Sequence, residues 1–209
     1  MLTVACSLNP PQIQSISTRL LLYPGDENIP EERLSLFVAV RDKDGTGDIV
    51  NIFIYNTKAE LLWNLTKENW TVHKDAGEIW IGSNGLSLPS AKIPRGSYTV
   101  EVIDQAGEKA QKQVQILVPE KLSNNFPSVA KASEPDAVFI QADYTQITLF
   151  FFDAGGNVIK AFPAVNGTAK ISKLWGNNSW KNQAVSCAVY AYDAKNQIGL
   201  FSWKLIINK

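Results

Sequence analysis

The chain has 209 residues with 20 basic and 20 acidic side chains, so its net charge is zero and it offers no broad field to attract nucleic acid or an acidic membrane. A hydrophobic fraction of 45% with 10% aromatics excludes a disordered chain. Its apolar runs, such as Leu149 to Phe152, fall far short of the roughly 20 residues a membrane helix needs.

Residues 1–12 read as a leader and spacer ending in Asn9-Pro-Pro-Gln12. From Ile13 onward the segments are short, rich in Val, Ile, Thr and aromatics, and bounded by Gly, Pro, Asn or Asp, which is the signature of strands. Leu34 to Arg41 and Asp48 to Tyr55 alternate, and the Asp-Gly and Thr-Gly steps between them suit a tight connection. Thr71-Val-His-Lys-Asp75 falls between two strand-like pieces, so His73, the one histidine, reads as an exposed loop residue beside an Asp-Ala-Gly turn. Trp80 and Trp203 lie in strand patterns and read as core residues. Tyr98 to Asp104 and Gln111 to Val118 alternate again, as half-buried strands of antiparallel sheets do. Cys187, inside Val185 to Tyr192, reads as a small buried hydrophobe.

Two pairs of segments repeat in the same order. Ile52 to Leu62 aligns with Leu149 to Ile159, and Val100 to Glu108 aligns with Val189 to Gln197, with Gly107 or Asn196 at the position that tolerates a left-handed backbone. Asn56 to Asp104 spans 48 residues while Asp153 to Asp193 spans 40, so the second copy is the shorter. Proline, serine and asparagine cluster between the copies. The expected organisation is a leader over 1–12, one domain over 13–118, a linker over 119–127 and a second domain over 128–209.

Ile93-Pro-Arg-Gly-Ser-Tyr98, followed by an alternating strand, Asp104 and Gly107, resembles the penultimate strand of bacterial immunoglobulin-like and fibronectin type III-like domains. The resemblance implies an all-β fold of two tandem antiparallel immunoglobulin-like β-sandwiches, with Tyr98 burying its ring and returning its hydroxyl to backbone. It weakens in the second domain, which lacks the Pro-x-Gly-x-Tyr element. Leu2-Thr-Val-Ala-Cys6 resembles the lipobox of bacterial lipoproteins, although Thr3 stands where that family prefers Leu. That resemblance implies lipidation at Cys6, tethering at a membrane through the lipid alone, and a periplasmic or surface location. A Cys6–Cys187 disulfide is the weaker reading.

Candidate chemistry is sparse. With one histidine and two cysteines widely spread, neither a nucleophilic triad nor a zinc cluster assembles from the sequence, and no phosphate or dinucleotide motif is present. No cofactor is expected. Asp42, Asp44 and Asp48 occupy positions one, three and seven of a loop resembling a calcium loop, but position twelve is Phe53 instead of a bidentate Glu. Turn chemistry alone accounts for those residues. Trp70, Trp175 and Trp180 lie near polar loops and are the candidates for stacking on a carbohydrate. Asn64, Asn69, Asn166 and Asn177 each open an Asn-x-Ser/Thr sequon, read as chance in a bacterial lipoprotein. The expected function is a non-catalytic binding or spacer module whose partner is another envelope or surface protein, met through loops or strand edges such as Asn157 to Phe162. The rival expectation is a carbohydrate-binding module.

Overall fold

A computed structural model of the chain describes residues 9–26, 29–42, 45–89, 92–118, 125–134, 136–175 and 179–207. Almost all regular structure is strand. The first half holds β1 (Gln12–Tyr23), β2 (Glu31–Arg41), β3 (Ile49–Asn56), β4 (Leu61–Leu65), β5 (Thr71–Asp75), β6 (Glu78–Leu86), β7 (Gly96–Asp104) and β8 (Lys109–Ile116). The second holds β9 (Ser128–Lys131), β10 (Ala137–Gln141), β11 (Gln146–Phe152), β12 (Val158–Ala164), β13 (Gly167–Lys170), the short helix α1 (Ile171–Trp175), β14 (Ser186–Asp193), β15 (Ile198–Phe201) and β16 (Leu205–Ile206).

Two compact units divide the chain: Met1–Leu20 with Arg33–Glu120, and Leu21–Glu32 with Lys121–Lys209. At 12 and 11 residues, β1 and β2 are the longest strands among the described residues. Their far ends, with the turn between them, group with the second unit, an assignment that a single cut in the linker does not express.

In the first unit, β1, β2, β6 and β5 are successive neighbours in one sheet, and β4, β3, β7 and β8 form the other. A period of two gives each strand one dry face. Ile52 and Ile54 of β3, Tyr98, Val100 and Val102 of β7, Leu36 and Val38 of β2, and Ile81 of β6 are all buried. Burying each such side chain is worth about 1.5–3 kcal/mol. On the opposite side of β2, Phe37 is also buried, with the His73 ring edge-on to it at 4.8 Å. Phe37 pairs with Gly82 of β6, and the register shifts between Leu34 and Leu36. The strands approach so closely there that a Cβ on residue 82 would stand 2.0 Å from the Leu36 carbonyl oxygen.

In the second unit, β9, β10 and β13 form one sheet, and β12, β11, β14 and β15 lie in that order in the other, with β16 also on β14. Val138, Ile140, Ile147, Leu149, Phe151, Cys187, Val189 and Ala191 make its core. Tyr23, from the end of β1, stacks on Phe201 of β15 at 4.7 Å with the rings 2° from parallel.

The repeat is present in the topology. β4-β3-β7-β8 and β12-β11-β14-β15 are the same arrangement, with β3 equivalent to β11 and β7 to β14. The cross-strand register differs by two residues: Ile54 faces Val100, whereas Phe151 faces Cys187 instead of Val189. A slip of two preserves which side of each strand faces inward. The turns, however, do not match as the sequence alignment had them. Asp104 and Asp153 make the same turn: each amide donates to the carbonyl oxygen four residues on, and each side chain accepts from that residue's amide, at 2.9 and 2.8 Å. At the Asp193 turn the left-handed residue is Gln197, with φ 56°, not Asn196, whose amide instead donates to the Asp193 carboxylate.

Trp203 is the clearest correction. It is 64% exposed, not a core residue. Ser202 explains this: its amide donates to Val189 O at 2.8 Å, and its hydroxyl accepts from Val189 N at 2.9 Å in place of a main-chain carbonyl. The chain bulges, so that Tyr190 pairs with Phe201 but Cys187 pairs with Leu205, one residue out of phase. Leu205 then turns toward the core and Trp203 turns away.

Candidate functional site

The corner before β7 is built around Tyr98. Its ring is buried and its hydroxyl donates to Pro94 O at 2.8 Å, the return bond that the resemblance implied. Burial pushes the phenol above its usual pKa, while the Asn56 side chain and the Arg95 guanidinium pull it partly back. Trp63 lies parallel to the Tyr98 ring at 6.1 Å and donates its indole N–H to Ser87 O.

Cys187 is a fully buried free thiol, as its strand pattern suggested. Desolvation pushes its pKa from 9.0 up to about 12, because a thiolate in an apolar core loses its hydration. The unfolded chain ionises this thiol near its ordinary pKa. Its contribution to stability is therefore intact below about pH 9 and lost as pH rises toward about 12, amounting to about 2–3 kcal/mol by pH 11. Urea midpoints at about pH 8 and pH 11 should separate further for the native sequence than for Cys187→Ala.

The candidate residues are placed as follows. Trp180 is half-buried, with its ring 5.3 Å from Phe151 and 5.8 Å from Phe162, packed against the core of the second unit. Trp70 is half-buried and closes a turn, its amide donating to Thr66 O at 3.0 Å. Trp175 ends α1, and its side chain lies outside the described part. Asp42 and Asp48 both bond to Gly45, whose N–H donates to Asp42 O and whose carbonyl accepts from Asp48 N. Among the described residues no group of three or more His, Cys, Asp or Glu side chains converges as a metal site. Cys6, Asp44 and Asn177 lie outside the described residues. Asn166 is committed to structure: its amide side chain accepts from Ala142 N and donates to Ala142 O, at 2.7 and 2.8 Å.

Strand edges give a sharper picture. β12, which carries the expected edge segment, is terminal in its sheet. Asp153 N donates to Asn157 O, which sets Phe151, Leu149 and Ile147 as the residues bonded to β12. Pro163, opposite Thr148, therefore sits where a main-chain N–H would have pointed outward, and it blunts that edge. β5 is the terminal strand that sequence reasoning missed, because His73 read as a loop residue. His73 is instead paired with Trp80, and their rings stack at 6.2 Å. The available signal was Ala76-Gly77 between two alternating pentapeptides; both residues have positive φ, 48° and 85°, the requirement of a two-residue hairpin turn. With Asp75 and Glu78 closing that turn, Thr71, His73 and Asp75 bond to β6, so the main-chain groups of Val72 and Lys74 point away from the sheet. All five side chains of β5 are exposed, Val72 by 52%.

No family of proteins matches the sequence, and no curated protein matches it. Among solved structures, the N-terminal Ig1-2 module of the Drosophila receptor protein tyrosine phosphatase DLAR is similar at a TM-score of 0.50 and 13% identity, over 96% of this chain and 100% of that one. Dimeric latent PorU from Porphyromonas gingivalis gives 0.36 and 16%, over 94% of this chain and 20% of that one. The BSP domain of a biofilm associated protein gives 0.29 and 12%, over 93% of this chain and 30% of that one. The chain is an all-β protein of two tandem antiparallel immunoglobulin-like β-sandwiches.

Proposed function

We propose that this chain is a non-catalytic extracytoplasmic lipoprotein that binds another protein of the cell envelope or surface, or spaces it, through strand addition at β5. In this reading the domains span 13–118 and 128–209, the linker is 119–127, and lipid on Cys6 is the sole attachment to the membrane. The terminal position of β5 supports the reading: among the described residues Val72 and Lys74 offer two outward donors and two outward acceptors, whereas the terminal strand β12 is interrupted by Pro163.

Val72→Pro tests the edge. Its outward N–H is not used by β6, so the substitution should leave the thermal midpoint within about 1 °C while removing the donor that an added strand needs. A photo-cross-linker placed at Lys74 in cells should label a partner in the parent chain and lose that product in Val72→Pro. Persistence of the same product would reject strand addition. For the anchor, mass spectrometry of the full-length protein from membranes should find diacylglycerol on Cys6, and an unmodified soluble product would reject it. Trp180 is engaged by Phe151 and Phe162, so the tryptophan-based carbohydrate reading is the weaker one.

A further inference from the structure

Main-chain groups at the edge of β5 accept any strand, but the rows of side chains that end there differ in what they accept. Residues paired across strands share a face of the sheet. Val38 of β2 is paired with Ile81 of β6, and Ile81 with Val72 of β5. Exposure along this row climbs from 0% to 2% to 52%, so the apolar row runs out at the edge and leaves Val72 half in water. The row on the opposite face is aromatic. His73 is paired with Trp80, their rings stack at 6.2 Å, and Phe37 meets the His73 ring edge-on at 4.8 Å. Lys74 lies on the same face as Val72 and is exposed, and among the described residues it has no ion pair.

β2, β6 and β5 pair antiparallel throughout, so a further strand that continues the pattern runs antiparallel to β5. Val72 and Lys74 then make hydrogen-bonded pairs with it. His73 makes the pair between them, which has no main-chain bonds and brings side chains closest together. Opposite Val72, an apolar β-branched residue extends the Val38-Ile81-Val72 row and covers its exposed end. Opposite His73, an aromatic ring continues the stack that starts at Trp80. Opposite Lys74, a carboxylate supplies a counter-charge on the same face as the β-branched residue. We propose that β5 selects an extended segment of another protein that reads acidic, aromatic, β-branched from its N-terminal side. This selectivity rests on the strand addition proposed above. A second copy of this chain fits poorly. The β5 residues that bond outward are Val72 and Lys74, so a second copy would meet Lys74 with a valine or with another lysine, never with an acid.

The test is a heteronuclear NMR titration of the full chain with three cyclic hairpin peptides, whose strands are already ordered. The matched probe carries Thr-Glu-Tyr-Val-Thr on its outer strand; the second has that Glu replaced by Lys, and the third has Glu and Val exchanged. The matched probe should give saturable shifts at the amides of Val72 and Lys74 and slow their hydrogen exchange. Both other probes should bind roughly fivefold more weakly. Lys74 is exposed, so Lys74→Glu should keep its melting temperature while reversing the preference between the first two probes. His73→Ala should weaken the matched probe roughly threefold. Equal binding of all three probes at β5 would overturn the selectivity and leave strand addition standing. So would binding of none of them while the cross-link at Lys74 still forms in cells and is still lost in Val72→Pro. Tighter binding of the exchanged probe would mean parallel pairing and overturn the proposed order. Shifts confined to other parts of the chain, with no cross-linked product, would overturn both readings.

Discussion

Gly82→Ala should unfold the first unit at markedly lower urea, with a loss of about 3 kcal/mol or more. The added methyl carbon would stand 2.0 Å from Leu36 O and 2.6 Å from Phe37 Cα. Both are backbone atoms of the neighbouring strand, so no side-chain rotation relieves the clash, and β2 must move away from β6. That movement would disturb Leu36 and Val38, which are fully buried, and it would do so beside an existing irregularity in the register. Circular dichroism through a urea titration measures the effect. A midpoint equal to the parent's would mean that β2 and β6 have room to part and that this part of the account is mistaken.

Phe151→Ala should cost the second unit about 3–5 kcal/mol, a large share of the 5–15 kcal/mol typical of a whole domain. Phe151 is fully buried, with the Phe162 ring at 6.1 Å and the Trp180 ring at 5.3 Å. Removing it opens a cavity between rings that are too rigid to close over it. The same substitution carries a spectroscopic signature, since the environment of the Trp180 indole should become more polar and its emission should shift to longer wavelength. A loss below about 1 kcal/mol would imply that the core of this unit is loosely packed.

Much of the fold could be read from the residues. The alternation of Tyr98 to Asp104 survives as β7 with Tyr98, Val100, Val102 and Asp104 inward, and the Pro-Arg-Gly-Ser-Tyr segment makes the corner its pattern implied. The errors share a limit: alternation shows which side of a strand is dry only where one side is dry and the chain keeps phase. Ser202 breaks it with a hydroxyl substituting for a main-chain acceptor, and nothing in Phe201-Ser-Trp-Lys-Leu205 marks that event. His73 was misplaced for the opposite reason, because β5 is exposed on both faces and so shows no apolar period. The candidate site was less legible than the fold. Val72 and Lys74 turn their main-chain groups away from the sheet only because β5 pairs with β6 in a register that the exposed pentapeptide does not announce.

The offset between the two copies has a consequence for how such a chain can change. A pair of strands that slides by an even number of positions keeps its oily residues hidden, whereas an odd slide would turn them to water and set polar groups in the interior. Segments joining β3 to β7 and β11 to β14 are therefore free to differ in length, as residues 57–95 and the shorter 153–185 illustrate, provided that the pairing itself obeys parity. A duplicated sandwich can shed whole segments and still close, and the arithmetic of pleats sets which trimmings it survives.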